Sequence, residues 1–271
     1  GRIAAQAAKQ VMIQRLREAE RDIIYDEFYN RTDDIITGII QRIEQKNIYV
    51  DLGKAEAVLP HSEQIATEEY FVGQRIKCYV VEVRKTPKGA QILLSRTHPG
   101  LLKRLFELEV PEISDGVVEL QSVAREPGRR SKIAVYSRDP NVDCVGACVG
   151  PKGARVQNIV MELQNEKIDI VKWDQDPAVY IANALSPAQV ISVTVDEEKK
   201  ASAVVVPDYQ LSLAIGKAGQ NARLAAKLTN WKIDIKSESQ VEEEDDNDFI
   251  DDDIISELAE PSETADTSEE I

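Results

Sequence analysis

Two short glycine-bounded loops, each with a lysine inside, are the segments of this sequence best suited to hold a ligand. Gly150-Pro151-Lys152-Gly153 forms the first loop, and Gly216-Lys217-Ala218-Gly219 follows 66 residues later. Glycine at both ends lets the main chain approach a ligand with no side chain intervening. A helical pattern follows each loop, and the free N–H groups at a helix start favour phosphate. The sequence therefore predicts two phosphate-binding loops.

The two loops are not equivalent. Pro151 removes one N–H donor from the first loop, which leaves Lys152 and Arg155 to supply donors. The second loop has Lys217 inside it, and neutral polar side chains beside it could reach base edges as well as phosphates. We therefore expect the second loop to contribute more base discrimination. The polar residues on the helical turn after that loop are Gln220, Asn221 and Arg223.

The elements around the loops recur in the same order, and this makes the duplicate a much stronger signal than a single loop. Residues 98–174 and 175–237 each read as a helix, two strands, a short helix, the loop, a helix and a strand. The last strand begins Lys167-Ile168-Asp169-Ile170 in the first unit and Lys232-Ile233-Asp234-Ile235 in the second. Each unit is thus predicted to be an α+β module, a three-stranded sheet covered by three helices.

This arrangement resembles the KH domain in its helix-first, type II order, which clamps about four nucleotides of a single strand at a Gly-x-x-Gly loop. The resemblance implies two RNA-binding modules, and two purely structural turns are the alternative. Because residues 173–176 leave little slack between the modules, we expect them to pack together and present one extended RNA track. The predicted RNA-binding residues here are Gly150, Lys152, Gly153, Arg155, Gly216, Lys217, Ala218, Gly219, Gln220, Asn221 and Arg223.

Upstream of these modules, residues 31–97 switch to the two-residue period of β-strands. Five short strands in about 65 residues fit a small Greek-key barrel of the OB type. The fold class is therefore multidomain, an all-β barrel followed by two α+β modules. The strand candidates are residues 37–40, 47–52, 57–59, 75–83 and 91–95.

The barrel segment resembles the S1 RNA-binding domain. Lys46 stands where that family has its first aromatic residue and Pro60 where it has a histidine, whereas Tyr49 matches a family aromatic. Weaker base stacking is therefore expected, with RNA backbone contact through Arg42, Lys46 and Lys77. A barrel that serves as a spacer or a protein contact remains the alternative. The landmarks of the resemblance include Gly38-Ile39-Ile40, Val50-Asp51-Leu52-Gly53 and Leu94-Ser95-Arg96.

The two ends of the chain differ from its body. Residues 1–30 read as an amphipathic linker helix packed on the barrel. Residues 238–271 hold 16 acidic and no basic residues, so the net charge of -15 becomes 33 − 32 = +1 without them. We expect this acidic tail to be disordered, because it has too little apolar surface to offset chain entropy. It is either a solubilising tail or carries a docking segment at residues 254–258.

Several classes of protein are disfavoured. No apolar run is long enough to span a membrane, and Cys78, Cys144 and Cys148 read as small buried residues, which indicates a reducing cytoplasmic setting. Neither His61 nor His98 lies near a nucleophile motif. We therefore predict no catalytic residues, no metal and no cofactor, and we expect a cytoplasmic monomer that is not an enzyme.

The domain order as a whole resembles the NusA family of bacterial transcription factors, over residues 1–237. The resemblance implies binding of the nascent transcript beside RNA polymerase and effects on pausing, termination and antitermination, with other antitermination factors as further partners. The family's N-terminal polymerase-binding domain is absent from the sequence, so little effect on pausing is expected from this chain alone. The alternatives are the RNA-binding part of an RNA-processing enzyme and a protein-interaction scaffold. The matching motifs include Arg125-Glu126-Pro127-Gly128, Lys132-Ile133-Ala134-Val135 and Leu213-Ala214-Ile215-Gly216-Lys217.

Overall fold

The computed structural model of the chain describes residues 1–242. The predicted docking segment at 254–258, and the acidic tail from residue 243 onward, lie outside the described residues. The chain divides into two compact units, Gly1–Asp174 and a second that starts at Gln175. The first unit holds the N-terminal helix, a barrel and one α+β module, and the second holds the other module.

Helix α1 spans Arg2–Tyr29 and packs on the barrel only through its C-terminal end. Phe28 is buried there, and Ile24 lies against the barrel core. The earlier apolar positions are exposed, Met12 by 72% and Leu16 by 62%. The predicted helix is therefore present, but the expectation that its apolar stripe packs on the barrel holds for the last turns alone.

The barrel is closed by five strands in the order β1-β2-β3-β5-β4. Alternate side chains point inward, as the two-residue period predicts, and the interior is filled by Ile40, Ile48, Leu59, Ile92 and Leu94. The S1-type OB barrel is thereby confirmed. The strands are β1 Ile35–Glu44, β2 Asn47–Asp51, β3 Glu56–Leu59, β4 Arg75–Thr86 and β5 Gly89–Ser95.

The first α+β module is a three-stranded sheet in the order β6-β7-β8, with β6 and β7 antiparallel and β7 and β8 parallel. Apolar faces of three helices cover it, and Phe106, Ile133, Cys148 and Ile159 are buried in its core. Its elements are α2 Pro99–Glu109, α3 Pro111–Ser114, β6 Val118–Glu126, β7 Arg130–Ser137, α4 Cys144–Val149, α5 Ala154–Glu162 and β8 Lys167–Lys172.

The second module repeats this topology but has no counterpart of α3. The sequence pattern did not predict α3 in the first module. Its sheet runs β11-β10-β9, again with the last strand parallel to its neighbour. Both KH-type modules are confirmed as α+β. The elements are α6 Pro177–Ala184, β9 Ser192–Asp196, β10 Ala201–Val206, α7 Leu211–Ile215, α8 Gln220–Thr229 and β11 Lys232–Ser237.

Buried ion pairs fix the barrel and the first module as one unit. The Arg96 guanidinium pairs with Glu68 inside the barrel, and its Nη2 also donates to the Glu162 carbonyl at the end of α5 at 3.1 Å. Since Arg96 is only 1% exposed, these bonds are shielded from water. The barrel and α5 therefore share a single buried cation.

The described residues were also searched for disulfide bonds, membrane-spanning helices and metal-binding groups. All three cysteines are free and buried, and burial raises the pKa of the Cys78 and Cys148 thiols to about 12 each. Between residues 1 and 242, no helix has the length and apolar character needed to cross a membrane. Over the same range, no three or more His, Cys, Asp or Glu side chains are grouped to hold a metal ion.

Candidate nucleic-acid interface

The two Gly-x-x-Gly loops have nearly the same backbone. Gly150 lies at φ 74° and ψ 174°, and Gly216 lies at φ 75° and ψ 172°. This region is essentially restricted to glycine. The third loop residue is left-handed in both, with φ 53° at Lys152 and φ 53° at Ala218. The same turn is thus built twice from different residues.

Each loop delivers its backbone to the start of a helix. Gly153 and Gly219 are the left-handed residues that precede α5 and α8, and neither provides a side-chain cap. In the first loop the N–H groups of Gly153 and Ala154 donate to the carbonyls of Gly150 and Pro151, and in the second those of Gly219 and Gln220 donate to Gly216 and Lys217. The positive end of the helix that follows each loop favours an anion at this position. Lys152 and Lys217 are both exposed beside these helix ends. The positive end of a helix and one ammonium group therefore lie together at each loop.

The side chain of Arg155 makes contacts that the sequence did not predict. Its Nη1 donates to the Ala147 carbonyl of α4 at 2.6 Å and to Glu112 Oε2 at 2.8 Å. Its aliphatic part also packs against Gly150, whose added Cβ would lie 2.6 Å from Arg155 Cγ. The prediction of a free phosphate donor is corrected here, because the guanidinium ties the loop to the preceding helix.

Asn221 is also corrected. Its side chain is buried, and Nδ2 donates to the carbonyls of Leu185 and Ala214, each at 3.0 Å. It cannot reach a base edge in this arrangement. Arg155 and Asn221 both lie two residues after the second glycine of their loops, and each donates to a carbonyl of the short helix before the loop. The two residues perform the same positioning task with different chemistry.

The remaining predicted residues of the second loop stay together at the start of α8. Lys217 and Arg223 are exposed, and Gln220 is half-buried. Arg223 Nη1 donates to the Ala218 carbonyl at 3.2 Å, which holds the guanidinium beside the loop. Backbone and side-chain donors of this loop are therefore presented on one side of the helix start.

Apolar residues next to the second loop were missed from the sequence. Leu213 and Ile215 belong to the short helix α7 and remain 45% and 38% exposed, and Tyr209 just before it is 76% exposed. An apolar surface beside phosphate donors suits the faces of nucleobases. The available signal was the length of α7, since a five-residue helix that carries three large apolar residues cannot bury all of them.

On the barrel, Arg42 and Tyr49 lie on neighbouring strands and contact each other. The Arg42 guanidinium carbon is 3.9 Å from the centroid of the Tyr49 ring, and the same group pairs with Glu44 and Glu56. One ring face is thus covered and the charge of Arg42 is largely compensated. The predicted Arg42 contact to an RNA backbone would require these ion pairs to open.

The other two barrel cations are not brought together. Lys46 lies in the exposed turn between β1 and β2, with φ 66°. Lys77 lies on β4, and its Nζ pairs with Glu162 of α5 at 3.1 Å. Lys77 therefore joins the barrel to the first module.

Profiles of three domain families match successive parts of the chain. The S1 RNA-binding domain matches residues 29–95, the NusA-like first KH domain matches residues 96–173, and the NusA-like second KH domain matches residues 177–243. Together they cover the barrel and both α+β modules in the observed order.

Curated relatives are similar along most of the chain. The transcription termination/antitermination protein NusA of Halalkalibacterium halodurans is 68% identical over 243 residues, which are 90% of this chain and 64% of the relative. The protein of the same name from Bacillus subtilis is 67% identical, over 90% of this chain and 66% of its own length. That of Mycobacterium bovis is 53% identical, over 88% and 72% respectively. The chain thus spans slightly less than two thirds of the first two relatives.

Proposed function

The chain belongs to the NusA family of transcription termination/antitermination proteins, and from this premise we propose that it binds the nascent RNA transcript as a single strand. The proposed contacts are the backbones of Gly150–Gly153 and Gly216–Gly219 together with Lys152 and Lys217. Gln220 and Arg223 supply further polar groups beside the second loop. The protein would act by binding alone, with no catalytic step.

The observation that carries this proposal is the duplicated loop. An unstrained helix start can be built by many sequences, yet both modules adopt the glycine-restricted conformation at Gly150 and Gly216. Each turn starts a helix that has no side-chain cap and places an exposed lysine next to that helix start. Backbone donors at a positive helix end favour a phosphate group, and the glycines let that group come close.

Differences between the loops assign them different roles. Pro151 lacks an N–H group, so the first loop offers one main-chain donor fewer than the second. Lys152 stands at the third loop position, whereas Lys217 stands at the second. The second loop also has the exposed apolar side chains of Leu213 and Ile215 beside it. We expect the first loop to act mainly on phosphates and the second to discriminate among bases as well.

The family premise extends the proposal to a cytoplasmic factor that works at RNA polymerase, in pausing, termination and antitermination. We also propose that antitermination factors are further partners and that the chain is a monomer. We also propose that both modules bind the same RNA strand.

A titration of fluorescent single-stranded RNA tests the binding step. We expect log K to fall linearly with log salt concentration, with a slope of about -0.7 for each phosphate contacted. The double variant Lys152→Asp/Lys217→Asp should lose most of this affinity. The control Lys9→Asp/Lys103→Asp changes charge equally at two exposed lysines and should bind as the parent chain does. Unchanged affinity in the loop variant, or no binding at low salt, would refute the proposal and favour a scaffold.

A second experiment tests the link to transcription. A photoreactive nucleotide placed in the emerging transcript of a purified elongation complex should crosslink to the chain near Lys152 or Lys217. Crosslinks that depend on polymerase and disappear in the double variant are expected. If the chain crosslinks equally to free RNA and to the elongation complex, the proposed RNA binding is supported, but the proposed action at RNA polymerase is refuted.

A further inference from the structure

A pair of adjacent cations recurs at one end of each module's sheet, away from the Gly-x-x-Gly loops. In the first module these are Arg129, just before β7, and Lys167, the first residue of β8. The Lys167 amide donates to the Arg129 carbonyl at 3.1 Å, so the two residues lie side by side. Both side chains are exposed, and within residues 1–242 neither makes an ion pair or a side-chain hydrogen bond.

The second module repeats the pair with different residues around it. Lys200 precedes β10 and Lys232 begins β11, and the Lys232 amide donates to the Lys200 carbonyl at 2.9 Å. The Lys200 ammonium lies 4.7 Å from the centroid of the Trp231 ring. Lys227, in the last turn of α8, adds an exposed cation nearby in the chain. The same backbone contact thus joins two basic residues in both modules.

Two acidic groups beside the first pair are already occupied. Asp169 accepts bonds from Arg130 and Lys132, and Glu166 is buried in a pair with Arg125. Two neighbouring cations repel one another, and an anion placed between them removes that repulsion. Glu126 shares the turn with Arg129 and has a partner of its own, and in the second module Glu197 and Glu198 share the turn with Lys200.

The pair and the loop lie at opposite ends of one helix. The first loop precedes α5, and Lys167 follows the turn that ends it. Nine residues at a rise of 1.5 Å separate the two ends by roughly 13 Å. A KH loop holds about four nucleotides. A strand of that length fills the loop, whereas a longer strand can continue toward the pair.

We propose that Arg129 with Lys167, and Lys200 with Lys232, form a second phosphate site in each module, which holds the backbone of the same RNA beyond the loop. This proposal rests on the proposed RNA binding at the loops. It assigns the sites to phosphodiester groups, because two adjacent cations recognise negative charge, and phosphate contacts position a strand without reading its bases.

The test compares a tetranucleotide with a single-stranded RNA of about twelve nucleotides, each titrated against salt. For the longer RNA, Arg129→Gln/Lys167→Gln should weaken binding and reduce the magnitude of the salt slope by about 1.4, since each lost phosphate contact removes about 0.7. Tetranucleotide binding should stay as in the parent chain, and this also shows that the variant is folded. The control Lys9→Gln/Lys103→Gln removes the same charge from two exposed lysines and should leave both slopes unchanged.

The outcomes separate the two proposals. If the pair variant and the control have the same slope with the longer RNA, the second site is refuted while loop binding stands. An equal loss for both RNA lengths would likewise overturn it, because the pair would then act on the loop. If the parent chain binds neither RNA, the proposed function fails and the second site with it.

Discussion

The guanidinium of Arg155 donates to the carbonyl of Ala147 across the first Gly-x-x-Gly loop, at 2.6 Å. In the second module Asn221 makes the corresponding bond to Ala214 at 3.0 Å. Each loop is therefore closed by a side chain from the helix that follows it onto the helix that precedes it. The closing residue holds the main-chain donors in place and is not itself available to the ligand.

Replacing Arg155 by alanine should lower the free energy of unfolding by about 1–2 kcal/mol. Hydrogen bonds to a charged group contribute about 1.5–3 kcal/mol, and partial exposure of this side chain reduces that figure. Urea unfolding measures the change. Lys152→Ala in the same loop is the control, and it should alter stability by no more than about 0.5 kcal/mol because Lys152 is exposed. Equal effects of the two substitutions would show that Arg155 does not close the loop.

Asn221→Ala should destabilise the second module by about 2 kcal/mol, because two buried carbonyls lose their side-chain donor. Thermal unfolding and amide exchange near Leu185 would report the loss. Lys227→Ala, at an exposed position on the same helix, should be close to neutral. If Asn221→Ala unfolds like the parent chain yet loses RNA affinity, then Asn221 contacts RNA and its assigned positioning role is wrong.

The two glycines of a loop should differ in their tolerance of alanine. At Gly216 an added Cβ would lie 2.9 Å from the backbone nitrogen of Asn221, in a conformation restricted to glycine. At Gly219 nothing lies within 4 Å, and only the left-handed conformation, at about 1–2 kcal/mol, opposes the change. Gly216→Ala should therefore be clearly the more destabilising of the two in urea. The reverse order would contradict the loop geometry.

Glu166 should make the stability of the first unit sensitive to acid. Burial alone would raise the pKa of this carboxyl, but hydrogen bonds from Arg125, Ser131 and the Gly128 amide outweigh it and hold the pKa below its usual value. A depressed pKa in the folded state contributes stability above the unfolded value, and that contribution is lost as the pH falls through the folded one.

The measurement compares the unfolding free energy of the parent chain with that of Glu166→Gln. Their difference should be large near neutral pH and should narrow as the pH falls through the usual pKa of a glutamate side chain and then through the lower pKa of Glu166. General acid destabilisation affects both proteins and cancels in the difference. A gap that is constant with pH would mean that the charge of Glu166 contributes nothing. Glu69→Gln, at an exposed carboxylate, is the control and should show no such dependence.

Much of the fold could be predicted from periodicity and glycine placement. The strand at Lys232–Ser237 and the helices after both loops were evident because alternate burial and turn residues leave marks in the sequence. The position of Arg42 could not be inferred in this way. A register shift between Ile40 and Arg42 sets Arg42 opposite Tyr49, and such a shift depends on three-dimensional pairing.

The same reason explains the corrected site residues. Spacing placed Arg155 and Asn221 on the first turn after a loop, which is true, but the direction of a side chain depends on what lies next to it. Those neighbours are the carbonyls of Ala147 and Ala214. In each module the carbonyl belongs to the helix before the loop, whereas the side chain that donates to it belongs to the helix after the loop. Exposure of Met12 was beyond prediction for a related reason, since an apolar stripe shows that a surface can be covered and does not identify what covers it.

Buried side chains join helix α1, the barrel and the first module. Helix α1 is about 42 Å long, and its C-terminal end contacts the barrel, where Phe28 is buried and Ile24 packs on the core. Arg96 in turn fastens the barrel to α5, whose first turn adjoins Gly153. Helix α1, the barrel and α5 are therefore joined in series by these contacts, although no residue of α1 belongs to the first loop.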